Sequence, residues 1–164
     1  MNKRLLGIAV CLASSLACAA GAFADAQALP AAQRVVRAGT QAATEAAQDH
    51  FTGKVRVDPL FPASAEIDAS AAYVTFAPGV RSAWHTHPAG QRLVVISGVG
   101  LTQEWGKPVK EIYPGDVVVC PAGVRHWHGA APASEMMHLA VTGMANGKSV
   151  EWMEKVTDDQ YNSR

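Results

Sequence analysis

Gly79-Val80-Arg81-Ser82-Ala83-Trp84-His85-Thr86-His87-Pro88-Ala89-Gly90-Gln91, continuing to Gly98, is the first of two stretches that decide the fold. Gly115-Asp116-Val117-Val118-Val119-Cys120-Pro121-Ala122-Gly123-Val124-Arg125-His126-Trp127-His128 is the second. In an extended strand, side chains two apart share a face. His85 and His87 therefore point the same way, and so do His126 and His128. Imidazoles converging from separate strands are a familiar means of holding a divalent metal. Of the six histidines, only His50 lies outside residues 85–138.

Outward from these stretches the chain reads as short strands between Pro and Gly breaks. Lys54 to Val57, Ala72 to Phe76 and Ala83 to His87 precede the buried-looking run Arg92 to Ile96. Gly100 to Trp105, Val109 to Tyr113, Val117 to Cys120, Val124 to His128 and Glu135 to Thr142 follow. Many short strands at intervals of roughly 8–12 residues predict an all-β sandwich or barrel. The tail from Ser149 to Tyr161 is expected to begin as a strand at Val150 and Trp152. It should end in a helical turn at Asp158-Asp159-Gln160.

The N-terminus carries Lys3 and Arg4, an apolar run from Leu5 to about Ala20, and Ala22-Phe23-Ala24. A charged start, an apolar middle and a small-x-small end predict a signal peptide over residues 1–24 and an exported, periplasmic or secreted protein. The run is short and Ala/Ser-rich for a membrane span, which needs ~20 strongly apolar residues. Cleavage would remove Cys11 and Cys18, leaving Cys120 without a disulfide partner. It would also take two basic residues from a balance of 14 against 14, giving a net charge of −2. Such a chain has no basic face for nucleic acid, and no membrane association is expected after cleavage. Residues 25–50, rich in Ala and Gln, read as a spacer with a short helix between Gln41 and Gln48, and His50 as a surface histidine. Residues 51–164 are read as the single domain, and a full chain that is 49% hydrophobic is apolar enough to build its core.

His138 lies on the next expected strand, Met136-Met137-His138-Leu139-Ala140, which hairpin pairing would bring toward the same cavity. His138 and His128 are the candidates for acid–base work, or for orienting a ligand from behind. Val94, Ile96, Val118, Leu139 and Trp127 are the candidate cavity walls, although Trp127 alternates with two histidines. Met136 and Met137 read as core filler, and Cys120 as an inert buried thiol.

The spacing of both stretches resembles the two cupin motifs. Gly79, five residues, His85-x-His87, three residues, Gln91, six residues and Gly98 form the first. Gly115, five residues, Pro121-x-Gly123, two residues and His126 form the second. The resemblance implies a single-domain cupin, a double-stranded β-helix or jelly-roll barrel with short helical segments at the termini. It makes His85, His87 and His126 metal ligands and places Gln91 where the usual acidic ligand stands. Four neutral ligands leave a divalent charge uncompensated, which favours anions and Lewis-acid chemistry over redox turnover. The competing readings are a metal site without Gln91 and a polar histidine cluster in a barrel mouth.

A closer resemblance spans residues 51–161. It is carried by Phe51-Thr52-Gly53, Val55 to Phe61, Ala83 to Pro88 with Gly90-Gln91, Ile112 to Val118, His126 to Pro132, and Glu151 to Asp158. These stretches are similar to the small bacterial cupins that act as manganese-dependent hydroxynitrile lyases of the (R)-mandelonitrile lyase type. That resemblance implies reversible cleavage of an α-hydroxynitrile into aldehyde and cyanide. His138 would take the hydroxyl proton, and His128 would stabilise the departing cyanide. It further implies a small-molecule substrate, a homodimer or homotetramer, and manganese as the cofactor. Iron, zinc, nickel and cobalt suit the same donor set. The alternatives are a non-haem metal dioxygenase and a non-catalytic periplasmic binder of metal or a small ligand.

Overall fold

The computed structural model describes residues 32–163, so the predicted leader lies outside the described residues. In chain order the strands are β1 (Thr44–Glu45), β2 (Val55–Phe61), β3 (Ala69–Phe76), β4 (His85–Thr86), β5 (Gln91–Gly98) and β6 (Gly100–Glu104). They continue with β7 (Lys110–Ile112), β8 (Val117–Cys120), β9 (His126–Ala130), β10 (Met136–Gly143) and β11 (Glu151–Trp152). A 3-10 turn at Gln48–His50 and the helix α1 (Asp158–Asn162) complete the elements of the described residues.

Two antiparallel sheets face each other. One has the order β1-β2-β3-β10-β5-β8 and the other β11-β4-β9-β6-β7. The chain crosses repeatedly between the sheets, as in a jelly roll. This is the expected all-β barrel, with α1 as its minor helical part. The body belongs to the compact unit Val36–Arg164.

The period of two sets what lies inside. On β5, Gln91, Leu93 and Val95 are buried while Arg92 and Ile96 are exposed; on β10, Met136, His138, Ala140 and Thr142 are buried. Val55, Phe76, Val95, Ile112, Ala130 and Met136 form one core cluster, and Phe76 brings it against the rings of His128 and His138. Trp127, between two inward histidines, faces outward. It is nevertheless fully buried in a second cluster with Trp84, Leu101, Ala131, Val156 and Tyr161. Sequestering large apolar side chains is worth about 1.5–3 kcal/mol each, so the C-terminal segment is a structural cover for the five-stranded sheet. Arg81 holds it, donating through Nε and Nη2 to Val156 O at 3.3 and 3.0 Å and pairing with Asp158 at 2.6 Å.

The predicted tail elements correspond to β11 and α1, the latter opened by a Thr157–Gln160 capping box. The helix expected between Gln41 and Gln48 is not formed. Thr44 and Glu45 instead pair with Val57 and Arg56 at the edge of the six-stranded sheet. An Ala-rich run this short does not sustain a helix alone, and the edge of β2 offers its backbone groups ready partners.

Candidate metal centre

Strand pairing gathers the five histidines. His85 of β4 pairs directly with His126 of β9. His87 follows two residues on, and His138 comes from β10 in the opposite sheet. Gln91 opens β5 after a turn at Gly90, whose φ of +80° and close approach to Cys120 O leave no room for a side chain. The ring centroid of His85 lies 4.3 Å from that of His126 and 5.0 Å from that of His87, and His87 lies 5.5 Å from His126. All three imidazoles and Gln91 are buried.

The hydrogen bonds of this group fix which atoms face inward. His85 Nδ1 meets Ala83 O at 2.9 Å, His126 Nδ1 meets Val124 O at 2.9 Å, and His87 Nδ1 meets Ser149 O at 2.5 Å. A carbonyl only accepts, so each Nδ1 carries the proton and each Nε2 presents a lone pair. Gln91 gives its Nε2–H to Thr142 Oγ1 at 2.9 Å. His87 Nε2, His126 Nε2 and Gln91 Oε1 are left buried with no hydrogen-bond partner. Buried acceptors without donors carry a desolvation cost of about 1–3 kcal/mol each, and a cation among them relieves it. The residues present therefore fit a metal.

A second grouping overlaps the first. His85, His126 and His128 each offer a ring nitrogen within 4.8 Å of the others. We favour His87 over His128 as the third imidazole. His87 Nδ1 is anchored to a carbonyl and its Nε2 is orphaned, whereas His128 Nδ1 faces His138 Nε2 at 3.3 Å. No carbonyl fixes the tautomer of His128, so which of its ring nitrogens keeps a lone pair depends on its contact with His138.

Electrostatics keep the cluster neutral. Burial, followed by the neighbouring His126, pushes His85 well below the ordinary imidazole value. Burial holds His126 and His138 at about 4 and lowers His87, the last partly restored by Ser149 and Gln91. Burial and then His138 press His128 far down. Neutral imidazoles are the metal-binding form.

A cavity of about 430 Å³ opens onto His85, His87, Gln91, His128 and His138. Its walls are Phe51, Val57, Pro59, Phe61, Val74, Phe76 and Trp152. None of the expected wall residues lines it. Val94, Ile96 and Leu139 alternate with inward residues of β5 and β10 and so face away; Val118 packs against the core and Trp127 lies in the outer cluster. The walls come instead from β2, β3 and the C-terminal arm. His50, read as a surface residue, is half-buried and stacks on Trp152 at 4.5 Å, whose ring lies 4.9 Å from that of His85. That stack depends on a return of the chain that no local pattern announces. Met136 is core as expected. Cys120 is buried, and burial raises its thiol to about 11, in keeping with an inert thiol.

Residues 72–142 match the Cupin domain family. The chain is 53% identical over 127 residues to the (R)-mandelonitrile lyase of Granulicella tundricola, covering 77% of this chain and 97% of that one. This chain is a cupin. The cupin is also similar to the crystal structure of a cupin-like protein from Thermotoga maritima, at 37% identity and a TM-score of 0.68 over 79% of this chain and 95% of that one. A cupin-2 domain from Rhodospirillum rubrum shares the fold at 18% identity, with a TM-score of 0.60 over 79% and 84% of the two chains. The cupin resembles the (R)-mandelonitrile lyase-type members over most of its length, and it carries a buried triple-histidine group able to hold a metal.

Proposed function

We propose that the protein is a metal-dependent lyase that cleaves an α-hydroxynitrile into an aldehyde and hydrogen cyanide. The observation that carries the reading is a set of orphaned acceptors and a histidine pair at the polar end of an apolar cavity. Its 53% identity to an (R)-mandelonitrile lyase supports the same class.

His85, His87 and His126, through Nε2, and Gln91, through Oε1, would hold a divalent ion. When bound, it supplies Lewis-acid polarisation and an uncompensated positive charge that favours anions. Manganese is our choice. The chain's own residues do the rest. Phe51, Val74, Phe76 and Trp152 would line the space for the aldehyde substituent, so an aryl or branched alkyl group fits. His138 Nδ1 is buried with no hydrogen-bond partner, and in the tautomer protonated at Nε2 it accepts the hydroxyl proton.

The carbon–carbon bond then breaks with its electron pair leaving on cyanide, and the hydroxyl oxygen becomes the carbonyl. His128 gives the proton on its Nε2 to cyanide. His138 passes its Nε2–H across the 3.3 Å contact to His128 Nδ1. Both rings finish neutral with their tautomers exchanged, and water resets them. This relay avoids a buried imidazolium, the species that burial penalises at both positions.

The test is cyanide release from each enantiomer of mandelonitrile, comparing manganese-loaded and metal-stripped protein against spontaneous decomposition. Metal-dependent consumption of one enantiomer is expected. Release equal to background with metal bound would remove the lyase reading, and oxygen uptake on an organic substrate would replace it with an oxygenase.

A further inference from the structure

β11 is the edge strand of its sheet, so Trp152 has a strand neighbour on one side only, where it pairs with His85 of β4. Two rings against its indole come from outside the sheet. His50, at the end of the 3-10 turn, lies flat on the Trp152 ring, with centroids 4.5 Å apart and 6° between the planes. Phe51 meets the same indole edge to face at 5.5 Å.

The main chains on both sides of the stack are tied to one short stretch. Ala83 N–H donates to His50 O at 2.8 Å, and Met153 N–H donates to Trp84 O at 2.9 Å. What remains free in Trp152 is its side-chain torsions, and the His50 ring blocks those that would carry the indole into the space it fills. Trp152 lines the cavity with its ring 4.9 Å from that of His85, whereas His50 is not among the lining residues. His50 stands behind the wall rather than in it. The stack uses the flat face of the imidazole and neither of its nitrogens.

We propose that His50 is a positioning residue that holds Trp152 as the wall limiting the size of the aldehyde substituent. The inference rests on the reading of this cavity as the place of that substituent. Affinities of benzaldehyde and 2-naphthaldehyde for the manganese-loaded protein, measured by titration calorimetry, read the space without depending on turnover. His50→Ala leaves room for the indole to swing back, so the naphthyl-to-phenyl affinity ratio is expected to rise about 3- to 10-fold, the scale of one lost aromatic pair. His50→Phe restores a flat ring and should keep the ratio within about twofold of wild type. Trp152→Ala should raise the ratio at least as far as His50→Ala does. Adding His50→Ala to Trp152→Ala should then change it by no more than about twofold, because His50 acts only through the indole. Thermal melting of each variant checks that the barrel is intact. If His50→Ala does not fold, His50→Leu, which fills volume without a flat face, takes its place in both backgrounds; Trp152→Leu likewise replaces Trp152→Ala.

An unchanged ratio in His50→Ala, or a ratio in His50→Phe as high as in the alanine variant, would overturn the inference. Equal rises in the native and Trp152→Ala backgrounds would also overturn it, by reducing His50 to barrel packing. Binding of both aldehydes without cleavage of either cyanohydrin would remove the lyase reading alone, with the ratios still deciding on His50. Failure of wild-type protein to bind either aldehyde would overturn the substrate cavity, and this inference with it.

Discussion

His138 Nε2 lies 3.3 Å from His128 Nδ1, joining one ring from each sheet across the interior of the barrel. The His128 ring meets Phe76 edge to face with centroids 5.7 Å apart, and the His138 ring lies tilted against the same phenyl at 5.6 Å. Two polar rings buried together at that point make chemical sense as a proton relay.

His138→Ala is therefore expected to lower kcat for cyanohydrin cleavage by about 10²–10⁴-fold, the usual worth of a positioned acid or base. Manganese binding should be unchanged, because the ligand atoms belong to other residues. Stopped assays with matched metal content check this; full activity in the variant would eliminate the proposed base.

Acid should destabilise the metal-free protein over a defined window. His126 and His138 sit at about 4 in the fold, against about 6.5 in an unfolded chain. Between those values the unfolded state binds protons that the folded state refuses, so stability rises with pH and falls as pH drops. The melting temperature in the presence of a chelator should decline from pH 6.5 to about 4 through His126 and His138, and His85 and His128, pushed lower still, should carry the loss on below that. A flat profile across that window would show that the cluster is not held neutral by burial.

Two turn glycines differ in what they tolerate. Gly98 has a φ of +75°, and a methyl group there would overlap Glu135 O; Gly106 has a φ of +74° with open space around it. Gly106→Ala should cost about 1–2 kcal/mol, the left-handed backbone penalty alone. Gly98→Ala must also displace the start of β10 and should cost more than ~4 kcal/mol or prevent folding. Chemical denaturation of both variants tests the contrast, and equal losses would contradict the close approach.

Most of the strands and the paired histidines are legible in the sequence because period-two alternation and Gly/Pro breaks are local signals. The strand at Thr44–Glu45 is not legible, since only its pairing with β2 makes it a strand. The cavity wall is lost through parity. With His138 facing inward, Leu139 has to face out, and apolar character alone points to the wrong side of β5 and β10. Trp152 and Ser149 reach the histidines only through the return of the C-terminal arm.

The most direct test of the account is an anomalous-difference map from a crystal of the manganese-loaded protein. The account predicts one strong peak bounded by the Nε2 atoms of His85, His87 and His126 and by Gln91 Oε1. A peak held by His85, His126 and His128 with His87 turned away, or no peak in that cluster, would contradict it.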